Sequence, residues 1–275
     1  MEPLLLRNKK NGISYLSGGH GPAVLLLHGQ PGSSERWRKV AAALSDRFTV
    51  IAPDLPGFGQ SDPVGPAFSF EDTARSLRTL VDSLEIKKLF IGGHDLGTPV
   101  AVTMTRMFPD LEFKGVMLSD AILFSDTFDK LPFFRKLLFL LVLMPLQSRV
   151  FASEKGLRSL YKMMVVKKDV FSWEQFIGAV SPSSYPTHAK VNTFYKKNFK
   201  AEFLKIEAGL SGIKCPLLIL WGANDSGVTA ETAKRLQTMV KNSELWIYDQ
   251  CGHFIQEECP EHVASDLKAF FSAHS

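Results

Sequence analysis

Short apolar runs alternate along the chain with longer segments of helical periodicity. Each run is followed by glycine, proline or polar residues, as expected for strands buried on both faces of a sheet. The predicted strands are Ala23–Leu27, Phe48–Ala52, Leu89–Ile91, Gly115–Leu118, Leu217–Leu220 and Leu245–Tyr248. The predicted helices are Glu35–Leu44, Glu71–Leu84, Thr98–Phe108, Ala230–Val240 and Glu261–Phe271. This alternation predicts an α/β fold with a mostly parallel sheet covered by helices on both faces.

The alternation is interrupted once, between the fourth and fifth of these strands. The segment 122–212 has helical periodicity and several prolines but no clear strand. It carries 14 Lys and Arg against 7 Asp and Glu, although the whole chain has a net charge of only +4. We therefore predict a helical cap over residues 122–212, inserted into a core formed by residues 1–121 and 213–275.

Composition narrows the class of protein further. The 275 residues are 45% hydrophobic and 22% charged, which suits a large globular core and excludes a disordered chain. The small net charge gives no reason to expect a nucleic acid partner. The three cysteines have no metal-ligand spacing and suit a reducing compartment.

No segment of the sequence is long and apolar enough to suggest a membrane span. The longest apolar run, Leu137–Met144, has eight residues, whereas a bilayer-spanning helix needs about 20. The N-terminus lacks the order of charges typical of a signal peptide. We expect a soluble, cytoplasmic protein without membrane contact; the basic and apolar stretch Lys130–Gln147 is where such contact would occur. The sequence carries no signal for an oligomeric state.

The pentapeptide Gly93-His94-Asp95-Leu96-Gly97 lies between a predicted strand and a predicted helix. A glycine two residues before and two residues after a reactive side chain is the pattern of a nucleophile elbow, a sharp turn that holds the nucleophile at a strand end. Here the nucleophile would be Asp95. An ordinary glycine-rich turn with an incidental aspartate is the alternative for this pattern alone.

Three other strand ends carry candidate residues. The loop His28–Gly32 follows the first predicted strand, and the amides of Gln30 and Leu96 would form an oxyanion hole beside the elbow. We interpret His28 as support for this loop. Asp225 and His253 follow the last two predicted strands, so the chain order is nucleophile, acid, histidine.

These motifs resemble those of α/β-hydrolases with a helical cap. The resemblance rests on His28–Gly32, Asp54–Asp62, Gly93–Gly97, Gly222–Asp225 and Gly252–Pro260, and thus spans nearly the whole chain. It implies a sheet of about eight strands. The aspartate at the elbow is similar to that of epoxide hydrolases and haloalkane dehalogenases.

The chemistry of a carboxylate nucleophile agrees with this resemblance. Attack of Asp95 on an sp³ carbon gives an alkyl ester, whereas attack on a carbonyl would give a labile anhydride. His253, oriented by Asp225, would then activate water against the ester. The expected substrate is a small apolar molecule with an electrophilic carbon, an epoxide or an alkyl halide, with water as co-substrate and with no metal or cofactor. Asp120, which follows the Gly115–Leu118 strand, is the rival for the acid role.

The leaving group distinguishes the two chemistries. Resemblance to epoxide hydrolases implies that Tyr195 donates a proton to the epoxide oxygen, and Tyr161 or Tyr185 would stand in for the missing earlier cap tyrosine. Haloalkane dehalogenases bind halide with side-chain N–H groups, which Gln30 or Trp173 could supply. Leu96 departs from both patterns, because dehalogenases usually carry Trp at this position and many epoxide hydrolases do as well. A buried structural role is the alternative for each tyrosine.

We therefore interpret the chain as a hydrolase that forms an alkyl-enzyme ester, with epoxide hydrolase as the preferred activity. Haloalkane dehalogenase is the alternative. A non-catalytic ligand-binding protein on the same fold is a further alternative from another class. The presence of Asp225 and His253 beside Asp95 argues against that last alternative, because a binding pocket needs neither.

Overall fold

The computed structural model describes residues 5–127 and 153–275, which form an eight-stranded sheet with helices on both faces. In sheet order the strands are β1, β2, β4, β3, β5, β6, β7 and β8. Their bounds are Leu6–Lys10 (β1), Ile13–Gly18 (β2), Ala23–Leu27 (β3), Thr49–Pro53 (β4), Lys88–His94 (β5), Glu112–Ser119 (β6), Leu217–Gly222 (β7) and Ser243–Tyr248 (β8).

Strands β3 to β8 run parallel to one another, whereas β2 pairs antiparallel with both β1 and β4 at one edge of the sheet. The α/β fold class and the mostly parallel sheet predicted from the sequence are confirmed. The pattern did not predict β1 and β2 individually. Strand β1 is an edge strand with a largely exposed, basic sequence, so it lacks the apolar run that marks the inner strands.

The helices follow the strands closely. They are Arg38–Leu44 (α1), Phe70–Ser83 (α2), Gly97–Met107 (α3), Glu154–Met164 (α4), Trp173–Gly178 (α5), Tyr185–Ser211 (α6), Ala230–Met239 (α7), Ile255–Glu258 (α8) and Pro260–Ala273 (α9). Short 3₁₀ turns at Ser34–Trp37 and Pro182–Ser184 precede α1 and α6. Serine caps begin α2, α4 and α5, each accepting a hydrogen bond from an amide in the first turn.

Two apolar clusters lie on opposite faces of the sheet. In β3, Leu25 and Leu27 join the cluster that includes α2, α3 and α7, whereas Val24 and Leu26 join the cluster that includes α1 and α9. This alternation explains why β3 is a continuous apolar run, because both faces of the strand are buried. The parallel strands consequently present their C-terminal ends at one edge, where polar residues can converge.

A helical insertion lies between β6 and β7. Of its described residues, 120–127 and 153–216, none lies in a strand, and α4, α5 and α6 are its helices. Aromatic residues of α4 and α5 form a third apolar cluster together with Phe254 of the core. Within this part of the chain and the rest of the described residues, no helix has the length and apolar character to cross a bilayer. The stretch Lys130–Gln147, singled out above for membrane contact, lies outside the described residues.

Candidate active site

The strand-to-helix turn after β5 holds Asp95 in a left-handed backbone conformation, with φ of +48°. Aspartate tolerates this region better than most residues do. A Cβ atom on Gly93 would lie 2.5 Å from the Gly97 carbonyl oxygen, and one on Gly97 would collide with the Leu27 carbonyl. The two glycines therefore allow the sharp turn, which places Asp95 at the C-terminal edge of the sheet.

The carboxylate of Asp95 is held by the loop that follows β3. Its Oδ2 atom accepts a hydrogen bond of 2.7 Å from the amide of Gln30, and the amide of Leu96 also faces this carboxylate. A Cβ atom on Gly29 would lie within 2.5 Å of Asp95 Oδ2, so glycine is needed for the close approach. Burial raises the pKa of Asp95 above its usual value, although the charge of His253 and the two amides oppose the shift.

His253 and Asp225 form a buried hydrogen-bonded pair. His253 Nδ1 donates to Asp225 Oδ2 over 2.8 Å, and both side chains are at most 3% exposed. The other carboxylate oxygen, Oδ1, accepts from the amides of Gly227 at 2.7 Å and Val228 at 3.0 Å. Both oxygens of Asp225 are thus used, so the carboxylate cannot rotate away from the imidazole.

The charges around His253 determine its protonation. Burial alone would lower the pKa of His253, but the negative charges of Asp225, Asp95 and Asp120 together raise it to about 9. The imidazole is therefore cationic at neutral pH in the free protein, and its charge balances that of Asp95.

Asp120, the rival for the acid role, lies beside the same histidine. Its Oδ1 atom accepts from the Gly222 amide over 2.9 Å, and its buried Oδ2 atom has no partner among the described residues. Burial, followed by the charge of Asp225, raises the pKa of Asp120 well above its usual value. The structure pairs His253 with Asp225 and places the Asp120 carboxyl beside them without a hydrogen bond to the imidazole.

These three side chains are also the one cluster of possible metal ligands within residues 5–127 and 153–275. Their ligand atoms lie within 4.8 Å of one another. The hydrogen bond between His253 and Asp225 already occupies one nitrogen and one oxygen of this set.

Of the cap candidates, Tyr195 on α6 is the one that the charge of Asp95 reaches. Burial, followed by the negative charge of Asp95, raises the pKa of the Tyr195 hydroxyl well above its usual value. The ring packs against Phe70 and Phe203, and within the described residues the hydroxyl makes no hydrogen bond. The raised pKa keeps this hydroxyl protonated at neutral pH.

The other three cap candidates lie in the third apolar cluster. The Tyr161 hydroxyl donates to the Phe171 carbonyl over 2.8 Å. Trp173 stacks on Phe176, and the guanidinium group of Arg158 lies over its ring. Tyr185 packs against the same cluster. In the part of the chain that the structure describes, these contacts are with the cap and with Phe254, so the structure does not bring these side chains to Asp95.

Sequence reasoning missed two buried polar residues next to the site. The neutral His94 ring lies 4.8 Å from the His253 ring, and its Nε2 donates to the His253 carbonyl over 2.8 Å. The Arg36 guanidinium donates to the carbonyl of Pro31 in the Gln30 loop at 3.2 Å and to that of Phe176 in the cap at 2.8 Å. The nearby basic residues Arg38 and Lys39 are exposed or half-exposed, so no pattern in the sequence marks Arg36 as buried.

Two cysteines flank the turn that carries His253. The structure joins Cys251 and Cys259 in a disulfide and leaves Cys215 free. The sequence analysis did not predict this pair, because an eight-residue spacing carries no recognisable signal.

This fold and this arrangement at the sheet edge define a hydrolase class. The family model described as the alpha/beta hydrolase fold matches residues 22–260, and the chain belongs to that family. The eight-stranded sheet and the helical insertion agree with this membership.

Two relatives and one solved structure illustrate the range of this family. The soluble epoxide hydrolase of Corynebacterium sp. strain C12 is 27% identical over 270 residues, spanning 94% of this chain and 93% of its own length. Haloalkane dehalogenase 2 of Mycobacterium tuberculosis strain CDC 1551 is 26% identical, spanning 93% and 90%. A thermophilic esterase from Thermogutta terrifontis is 20% identical with a TM-score of 0.78 and covers all of both chains, a likeness of fold alone.

Proposed function

We propose that this hydrolase opens epoxides through an ester formed on Asp95. The observation that carries this proposal is the carboxylate of Asp95 at the elbow, with one oxygen bonded to the Gln30 amide and with the His253–Asp225 pair beside it. A carboxylate in this place is suited to attack on an sp³ carbon, which yields an ester that activated water can cleave.

The two oxygens of Asp95 have different surroundings, which suggests different roles. Oδ2 lies against the Gln30 amide, so Oδ1 is the oxygen available for attack. After attack, Oδ2 becomes the carbonyl oxygen of the ester and already occupies the oxyanion hole. When water adds to that carbonyl carbon, the amides of Gln30 and Leu96 stabilise the negative charge that develops on Oδ2.

Ester formation also prepares His253 for the second step. The negative charge of Asp95 is one of the causes of the raised pKa of His253. Alkylation removes that charge, so the pKa of His253 falls below about 9 in the intermediate. The neutral imidazole needed as a general base becomes more abundant when the ester is present.

Tyr195 favours an epoxide over a halide as the substrate. Its hydroxyl stays protonated, and it lies within electrostatic reach of Asp95, so it can donate a hydrogen bond to the oxygen that leaves carbon. The relative named as a soluble epoxide hydrolase supports this choice. Haloalkane dehalogenation is the second candidate, supported by the relative of that name and by the side-chain amide of Gln30 next to the oxyanion hole.

Replacement of Tyr195 by Phe separates the two candidates. If Tyr195 assists departure of an alkoxide, Y195F lowers kcat for epoxides by about 10²-fold or more, because removal of a general acid costs about 10² to 10⁴. A halide leaves without a proton, so haloalkane turnover stays within a few-fold of wild type. Assays of wild type and Y195F on epoxides and haloalkanes measure the loss of kcat for each substrate class. An equal loss on both classes would contradict the role of Tyr195.

The ester intermediate is tested with His253→Gln. This variant should consume one equivalent of epoxide and stop, since alkylation needs no general base, and the intact mass should rise by the mass of the substrate. In wild type, a single turnover in ¹⁸O-water should place the label on Asp95, because water attacks the ester carbonyl. Label in the diol alone would reduce Asp95 to a general base. Wild-type protein that binds but converts neither substrate class would favour the non-catalytic alternative.

A further inference from the structure

We propose that the carboxylate of Glu258 positions His253, by binding backbone amides of the His253 turn and of the cap at the same time. No side-chain contact joins Glu258 to the imidazole, so it would act through the backbone. The kinetic part of this inference rests on the proposed function, because it concerns the second of the two chemical steps.

Glu258 ends α8 and is 1% exposed. Its Oε2 atom accepts hydrogen bonds from the amides of Val166 at 2.8 Å, Lys167 at 2.9 Å and Gly252 at 3.2 Å. Its Oε1 atom accepts from the Phe254 amide at 3.3 Å. Two of these amides belong to the cap segment after α4, and the other two belong to the residues on either side of His253.

The C-terminal end of α4, next to this cap segment, is bonded directly to both turns that carry the His253–Asp225 pair. The His253 amide donates to the Met164 carbonyl over 3.0 Å, and the Ser226 hydroxyl donates to the Met163 carbonyl over 2.9 Å. A Cβ atom on Gly252 would collide with the Met164 carbonyl, so the segments are in close contact. The position of His253 therefore depends on the cap, and Glu258 is the side chain that binds amides on both sides of this contact.

The charge of Glu258 matters as well as its shape. A buried carboxylate is costly unless hydrogen bonds compensate for its lost solvation, and four amides do so here. A glutamine has one acceptor oxygen, and its NH₂ group would face amide N–H donors. Glu258→Gln is nearly isosteric, but one of its two side-chain positions becomes a donor. With the glutamine oxygen in the place of Oε2, the NH₂ group meets the Phe254 amide next to His253; in the other orientation, three amides lose their acceptor. Either arrangement displaces the His253 turn.

The two chemical steps respond differently to such a displacement. Alkylation of Asp95 does not use His253, whereas ester hydrolysis requires the imidazole within hydrogen-bonding distance of the attacking water. A misplacement of about 1 Å costs about 10²-fold in rate. Glu258→Gln should therefore slow hydrolysis about 10²-fold relative to alkylation, and the alkyl-enzyme should accumulate.

The experiment measures both steps by quenched-flow intact-mass analysis with an epoxide in single turnover. Glu257→Gln is the matched control, since it removes a buried carboxylate from the adjacent position. The Glu257 carboxylate pairs with Lys39 at 3.5 Å and with Arg36 at 3.9 Å, and within the described residues it accepts no hydrogen bond from the amides of the His253 turn. Glu257→Gln should keep the wild-type ratio of the two rates even if it lowers stability. Glu258→Asp is a milder variant for use if Glu258→Gln does not fold. It should give a ratio of hydrolysis rate to alkylation rate between those of wild type and Glu258→Gln.

A second readout needs no substrate. The His253 Nδ1 proton bonded to Asp225 should give a low-field NMR signal, assigned by its loss in His253→Gln. This signal should broaden through solvent exchange in Glu258→Gln and persist in Glu257→Gln. A wild-type rate ratio or an unchanged signal in Glu258→Gln overturns the positioning role. Failure of wild type to alkylate refutes the proposed function, and the NMR signal still decides the role of Glu258.

Discussion

At the scale of single residues, the sequence predicted which side chains meet, because each candidate ends a parallel strand at the same sheet edge. It favoured Asp225 over Asp120 as the acid, although the two residues follow adjacent strands, β7 and β6. That choice depends on a single hydrogen bond of 2.8 Å and on the two amides that hold Asp225, features that have no linear signature. The roles of Tyr195, Gln30 and Leu96 stay predictions.

Matched isosteric variants test the choice of acid. Asp225→Asn should lower the rate of ester hydrolysis by about 10⁴-fold, the cost of the corresponding change in serine proteases, because it disturbs the imidazole tautomer. Asp120→Asn should stay within about tenfold of wild type, since Asp120 makes no hydrogen bond to His253 and an asparagine oxygen can still accept from the Gly222 amide. Single-turnover kinetics of the two variants measure the difference, and a larger loss in Asp120→Asn would reassign the acid.

At the scale of elements, the apolar runs located the inner strands and most core helices to within a few residues. The contacts that join elements were not predictable, since they depend on polar residues buried in unexpected places. Arg36 is the clearest example: it is 1% exposed, lies over the ring of Phe176 at 4.6 Å, and connects the Gln30 loop to the cap. Its neighbours in sequence give no sign of this connection.

Arg36→Met should weaken the contact between the Gln30 loop and the cap. The substitution keeps the apolar contact with Phe176 but leaves two buried carbonyl oxygens without their donor, at a cost of about 1 to 3 kcal/mol for each. The free energy of unfolding from urea titration measures the loss. In a double-mutant cycle with Glu257→Gln, the losses should be less than additive, because Arg36 and Glu257 attract each other; strict additivity would show no coupling.

At the scale of the whole molecule, the proposed chemistry has a cost in stability. Burial raises the pKa of Asp95, so the folded state binds a proton there more tightly than the unfolded chain does. Folding is therefore less favourable once pH rises through the raised pKa, and the ionised Asp95 carboxylate destabilises the fold at neutral pH. The helices on both faces of the sheet and the cap must offset this cost.

Asp95→Asn should accordingly stabilise the protein at neutral pH. A gain of about 1 kcal/mol corresponds to a rise in Tm of about 2 to 4 °C for a domain of this size. The gain should vanish below the pKa of an exposed aspartate, where Asp95 is protonated in both states. Thermal denaturation across pH, with the exposed Asp169→Asn as a control, measures it, and a gain that persists in acid would argue against ionisation as the cause.

The elbow has a consequence for how new activities arise on this scaffold. Gly93 and Gly97 admit no larger residue, whereas the hydrogen bond from the Gln30 amide goes to Oδ2 of the side chain between them and leaves Oδ1 unbonded to that amide. The residue at position 95 can thus be replaced, whereas the two glycines of the turn cannot. Divergence from an alkyl-transferring to an acyl-transferring enzyme would begin with one codon, and Asp95→Ser, which sets a hydroxyl beside His253, is a natural starting point for laboratory selection of ester hydrolysis.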